Sequence, residues 1–313
     1  MNAEASAALG PDAGARAPTD DPSSAGQAGV SARGRAWRLR VGNAPACVAA
    51  MVLLLIVLAA AGAAYLPLPD PLRLDLAHKF RPPAWVAGGS LRNLLGTDAQ
   101  GRDVLARIVF GARTSLIVGL AAVLLSSALG LVLGLLAGWA RGVVDTVIMR
   151  VTDAMLAIPT MLFMLVVAMV ADSGMGPLIL VIALTHWVHY ARLVRAETLR
   201  VRELEFVGAA RIAGLGPVRI VWRHVLPNIL ASFVVVAALN VGAIILAESS
   251  LSFLGFGVQP PQISWGQMLS EGRQSLATSW WVATFPGLAI TLTVLSVIVL
   301  GDWLRDYLDP RLS

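Results

Sequence analysis

Lysine, cysteine and histidine are nearly missing from this chain, and each shortage removes a class of function. Lys79 is the only lysine among 313 residues. A phosphate-cradling Walker loop needs a lysine directly after a glycine-rich turn. Lys79 stands instead in Ala77-His78-Lys79-Phe80, so the chain holds no such loop, and any ATP-driven work it joins is powered by another subunit. Cys47 is the single cysteine, which excludes an internal disulfide and a cysteine metal cluster; at the edge of the first apolar run it reads as a small apolar residue. The four histidines, His78, His186, His189 and His224, form no arrangement with carboxylates that reads as a zinc or catalytic site. His186 and His189 share a helical face and read as helix packing. Catalytic, cofactor-binding and metal-binding residues are therefore expected to be absent. Charge is scarce as well: 14% of residues are charged against 57% hydrophobic, with a mean hydropathy of +0.74. That balance excludes an ordinary soluble domain and leaves an integral membrane protein.

What is present is a series of apolar runs separated by polar segments. Residues 1–45 begin with a stretch rich in Ala, Gly, Pro, Ser and Asp that lacks apolar periodicity, and are expected to be a disordered tail. Arg33, Arg35, Arg38 and Arg40 then precede an apolar run over 46–66, long enough to cross a hydrocarbon core of roughly 30 Å. The arginines place the tail in the cytoplasm, and the long tail before the run favours an uncleaved anchor over a signal peptide. Residues 67–113 form a mixed, proline-bearing segment expected outside. The positive-inside rule loses force over long loops, so the segment's arginines do not reverse that placement. Near its end, Asp98, Arg102 and Asp103 suggest a turn and a helix start. Val104, Leu105, Ile108 and Val109 make an apolar stripe, expected as a helix lying on the membrane surface. Further spans are expected from Ser115 to Trp139, from the turn after Arg141 to Val170, and from Leu178 to Tyr190. Two more follow, from Ile229 to Ala247 and from Val282 to Leu300. Gly130, Gly134 and Gly138 allow close helix packing, Pro159 is a kink and hinge candidate, Asn240 is expected to bond a neighbouring helix, and Trp280 and Trp281 are expected at the interface.

The most informative stretch is the polar island Glu205 to Asn228. Phe206, Ala209, Ala210 and Ala213 recur at helical spacing, so one face carries a single aromatic and otherwise small side chains. Gly214, Gly216 and Pro217 break that helix. Val218, Val221, Trp222 and Val225 restart the spacing with Arg219 and Arg223 four apart, and Pro227 marks an expected second break. A DNA-binding helix-turn-helix would carry the same glycine turn and arginines, but it needs a folded support of its own, and both ends here run into bilayer-length apolar segments. No nucleic-acid partner is expected.

Glu205, Ala209, Ala210, Gly214 and Leu226-Pro227 resemble the "EAA" signature of ABC-importer permeases. The fuller pattern, Glu205-Phe-Val-x-Ala-Ala-Arg211 followed by Arg223-His-Val-Leu-Pro-Asn228, resembles the dipeptide/oligopeptide/nickel branch and its second-permease "C" type. Leu95-Gly-Thr-Asp-Ala-Gln-Gly-Arg-Asp103, with Gly96, Thr97, Asp98, Gly101, Arg102 and Asp103, is similar to that family's N-terminal signature. Ser252 to Pro261 resembles its last extracellular stretch.

The resemblance implies an all-α fold of type I ABC-importer permeases with six transmembrane helices. It implies a permease core over 114–305, a cytoplasmic coupling loop over 196–228 and a short cytoplasmic tail over 306–313. It also implies a non-catalytic subunit of the bacterial inner membrane that forms half of a translocation pathway with a homologous sibling permease. Two ATPase subunits, which use ATP and Mg, would sit inside, and a solute-binding protein outside. The ATPase-facing residues would be Glu205, Phe206, Ala209, Ala210, Arg211, Gly214, Arg219, Arg223 and Pro227. The solute would be a small peptide or a related solute such as a nickel chelate. A secondary transporter or channel is the competing reading, but it would place ionisable residues near the midplane, whereas here they gather at span ends.

Overall fold

A computed structural model describes residues 44–308. The tail over 1–45, with its four arginines, lies almost wholly outside the described residues, as do the last five residues of the chain.

Among the described residues the fold is helical, with isolated bridges Ser90–Asn93 and Thr97–Asp103 and no strand. The helices are α1 (Ala44–Ala61), α2 (Val104–Ala140), α3 (Gly142–Ala157), α4 (Thr160–Val170), α5 (Met175–Arg202), α6 (Glu205–Ile212), α7 (Pro217–Ile220), α8 (Leu226–Phe253), α9 (Trp265–Gly272) and α10 (Trp281–Leu308). Five helical stretches are long and apolar enough to cross a membrane, and α3 with α4 makes a sixth, broken crossing bent by 94°. The break falls at Ile158-Pro159. Ile158 is extended, the conformation a following proline favours, and Pro159 opens α4 without an N–H to give back to α3.

α2 corrects one expectation. The apolar stripe from Val104 is no separate surface helix but the first turns of a single 37-residue helix, which at 1.5 Å per residue reaches about 55 Å. Asp103 starts it by accepting the Ala106 N–H at 2.7 Å. No proline or glycine turn interrupts it, so the interfacial and spanning segments fuse.

The glycine spacing does what close packing requires. A Cβ on Gly130 would stand 2.4 Å from Tyr190 Cβ, one on Gly134 2.6 Å from the Ala191 carbonyl oxygen, and one on Gly138 2.7 Å from Thr198 Cβ. The contacts advance in the same direction along both chains, so α2 and α5 are parallel neighbours. Two parallel helices need a return crossing between them, and α3 with α4 supplies it. α8 runs antiparallel to α2, with Gly119 against Ile245, and α10 antiparallel to α8, with Gly301 against Leu239.

The two ends of the bundle are thereby distinct. One carries residues 62–103, the end of α8, α9 and the start of α10. The other carries α6, α7 and the end of α2. α5 runs on to Arg202, well past Tyr190, because nothing between them breaks a helix. Asn240 bonds the Val236 carbonyl of its own helix, not a neighbour. Trp281 is buried and donates Nε1–H to the Thr97 carbonyl at 3.0 Å, so only Trp280 of the pair is half-exposed.

Candidate functional site

The hairpin begins where Leu204 turns extended after α5, and α6 starts at Glu205. It ends on a Schellman turn. The Leu215 N–H donates to the Ala210 carbonyl at 3.1 Å and the Gly214 N–H to the Arg211 carbonyl at 2.9 Å, with Gly214 at φ +79°. Open space surrounds Gly214, so glycine is needed there for its backbone and not for a close approach. Pro217 occupies the first turn of α7.

Pro227 does not end the second arm. A π turn over Val221–Val225 runs directly into α8. The wider turn shifts the ladder where proline lacks a donor, so helix continues from Pro217 to Phe253.

The sequence grouped Phe206, Ala209, Ala210 and Ala213 on one face, and the structure divides them. Val207 and Ala210, three apart, turn inward against Val201, Ile220, Val225 and Ile229. Phe206, Ala209 and Ala213 remain exposed. Beside them Ile212 is 90% exposed and Trp222 68%. The Phe206 and His224 rings lie 6.3 Å apart and tie the two arms together. Glu205 is exposed in the first turn of α6, where the helix dipole favours its charge.

Trp139, at the end of α2, fixes this hairpin to the bundle. The guanidinium of Arg202 lies 5.4 Å and that of Arg211 5.1 Å from its ring centroid, and Arg202 also donates to the Trp139 carbonyl. Arg211, expected among the ATPase-facing residues, is thus also in contact with the Trp139 ring. Arg219 and Arg223 are exposed and form no ion pair among the described residues. Ion pairs Arg195–Asp145 and Arg192–Asp153 bind α3 to α5, and Arg141–Glu203 joins the end of α2 to that of α5.

The residues of the N-terminal signature come together at the opposite end. Gly96 and Gly101 take positive φ, and Thr97 bridges Asp103. Asp98 accepts from Arg102 Nε at 2.7 Å and from Arg107 at 2.6 Å. Glu271, in α9, accepts from Arg102 at 2.6 Å and from Arg107 at 2.7 Å. Two cations and two anions thus alternate around a buried cluster that joins the loop, α2 and α9. Sequence reasoning missed Arg107 and Glu271. Arg107 had a signal, a cation set within an apolar stripe and now 1% exposed. Glu271 had none, because its partners lie more than 160 positions away.

Glu248, in the last two turns of α8, is fully buried. Ser252 donates to it at 2.8 Å, and Ser115 and Ser249 each lie 3.3 Å away. Ser115 also accepts the Trp265 N–H, so one carboxyl group ties α8, α2 and α9. Among the described residues no three His, Cys, Asp or Glu side chains converge on a space for a metal ion.

A helical bundle with bilayer-length apolar helices and a clamped polar hairpin at one end defines a membrane permease. Residues 130–313, more than half of the chain, match the family described as binding-protein-dependent transport system inner membrane component, and the chain belongs to that family. It is a multi-pass inner-membrane subunit of an ABC importer. The di/tripeptide transport system permease protein of Pseudomonas aeruginosa is 40% identical over 277 residues, covering 88% of this chain and 91% of the relative. The dipeptide transport system permease protein of Escherichia coli is 43% identical over 242 residues, covering 76% and 81%. The glutathione transport system permease protein of Pectobacterium atrosepticum is 39% identical over 277 residues, covering 88% and 90%. A chain of the MetNI methionine ABC transporter, solved in inward-facing conformations, superposes with a TM-score of 0.55 at 17% identity, covering 66% of this chain and 97% of that one. It shares the fold.

Proposed function

We propose that this subunit forms half of a pathway for small peptides, beside a homologous sibling permease, and that the hairpin over 196–228 seats on a partner ATPase that binds ATP and Mg. The observation that carries this reading is the division of α6. Val207 and Ala210 anchor it inward, while Phe206, Ala209, Ala213 and Trp222 stay open on a surface beyond the apolar spans. An apolar ridge of small residues flanked by two aromatics suits a groove on a second protein. The Trp139 clamp makes the hairpin rigid with α2 and α5, so displacement of the hairpin by ATP-driven closure of the ATPases moves those helices with it. In this reading Arg219 and Arg223, which form no ion pair among the described residues, meet charges on the ATPase. Both termini and the hairpin lie in the cytoplasm, and residues 67–103 with α9 face a solute-binding protein. The peptide reading rests on relatives named for di/tripeptide, dipeptide and glutathione transport.

The test is Ala209→Glu. The side chain is exposed, so the subunit folds and reaches the membrane at normal level. In the groove the longer, charged side chain overfills and desolvates, at ~1–3 kcal/mol for each effect. ATPase co-purification then falls by about tenfold or more, ~1.4 kcal/mol being a factor of ten, and uptake falls with it. Full ATPase association and full uptake in Ala209→Glu would reject this face as the coupling surface.

A further inference from the structure

Arg113 is the last charged residue of α2 before residues 114–140, which carry no charge. It stands where the helix enters the bilayer, at the end bearing residues 62–103. Beside it a cavity of about 560 Å³ opens between Ala64 just past α1, the loop at Asp70-Pro71-Leu72, α2 and the loop at Pro261-Gln262-Ile263. Arg113 and Asp70 both line this cavity, yet they form no ion pair with each other or with any other described residue. One Asp70 oxygen accepts the Leu72 N–H at 2.9 Å, which fixes the carboxylate at the rim. A cation and an anion thus face one space without closing on each other.

Below Arg113 the same face of α2 is apolar and open. Ile117, Leu120 and Leu124 follow at i+4, i+7 and i+11, and all three are exposed. α1, the neighbour on this side, packs through Ala60 and leaves Leu54, Leu55 and Leu58 exposed. The result is a charged pocket at the bilayer edge that continues into an apolar track running inward.

We propose that this cavity binds a phospholipid with a phosphoethanolamine headgroup. The planar guanidinium of Arg113 takes the phosphate oxygens, the Asp70 carboxylate takes the primary ammonium, and an acyl chain lies along Ile117, Leu120 and Leu124. The pairing of charges selects the headgroup. An anionic glycerol headgroup would satisfy Arg113 but bring Asp70 only neutral hydroxyls in place of a cation, and a choline headgroup has no N–H to donate. An arginine that merely reaches to water at the interface would show no such selection.

The full chain, purified with its partner subunits in mild detergent from membranes containing phosphatidylethanolamine and phosphatidylglycerol, is analysed for retained lipid by mass spectrometry. Phosphatidylethanolamine is retained in excess. Arg113→Gln lowers its retention about tenfold, equivalent to ~1.4 kcal/mol. Asp70→Asn shifts retention toward phosphatidylglycerol. Both positions are exposed, so membrane abundance is unchanged. A phosphatidylethanolamine bearing a photoreactive acyl chain labels the peptide containing Ile117 to Leu124. Retention that ignores the headgroup and survives Arg113→Gln would overturn the proposal. So would absence of that labelling in the assembled complex, which would mean that a protein subunit covers the track.

Discussion

Arg107 shows how much one side chain can bind together. It is buried, it bonds both Asp98 and Glu271, and its Nε has no partner, so the cluster is already at the limit of what its geometry satisfies. Arg107→Ala leaves the buried Asp98 with Arg102 as its one cation and should cost about 3–5 kcal/mol, the scale for breaking a buried pair. Glu271→Gln should cost about 1 kcal/mol or less, because Glu271 is a third exposed and solvent can replace the charge. Thermal unfolding in detergent checks the ranking, and equal shifts in the two variants would mean that the cluster does not behave as a buried unit. Gly214 makes a different case. Its surroundings are open, so Gly214→Val meets no clash and pays only for φ +79°, about 1–3 kcal/mol of backbone strain. The second arm of the hairpin is then misdirected while the bundle stays intact.

Among the elements, the bent pair α3 and α4 separates local from tertiary causes. Pro159 locates the break, and two ion pairs hold α3 to α5, Arg192–Asp153 exposed and Arg195–Asp145 part-buried; the exposed one contributes only about 0–1 kcal/mol, and both lie on α3, away from α4. The bend therefore depends on the proline. Pro159→Ala restores an N–H and frees Ile158 from its extended conformation, so α3 and α4 should move toward one continuous helix. Spin labels at the exposed positions Val147 and Val166 should then separate toward about 28 Å, the spacing of a straight helix. An unchanged distance would assign the bend to packing around the buried Met164 instead. The helix pair α2 and α5 was more legible. Glycines at four-residue spacing announce a close contact to any reader, yet the partner and its parallel direction follow only from the packed contacts.

For the whole molecule, orientation is the property to measure. With Cys47 replaced by alanine, Leu91→Cys and Ile212→Cys present single thiols at exposed positions on opposite ends of the bundle, 85% and 90% exposed. A membrane-impermeant maleimide applied to intact cells with a permeabilised outer envelope should label Leu91→Cys. It should reach Ile212→Cys only after the inner membrane is opened. The reverse pattern would invert the orientation, and labelling of both from one side would contradict the two-ended bundle.

The sequence by itself determined the solvent, the existence of the spans though not all their bounds, and the turn of the hairpin. Sustained apolar runs specify a bilayer, glycine at a left-handed turn ends α6, and proline at 159 breaks a span, each through covalent geometry or hydration acting over a few residues. Tertiary structure alone decided which polar groups meet. Glu271 finds Arg102 and Arg107, Glu248 finds Ser115, and Trp139 takes its place between Arg202 and Arg211. It also decided that Ala210 turns inward while Ala209 stays open. These outcomes depend on helices far apart in sequence lying side by side, and a local pattern holds no information about which distant charge will share its buried space.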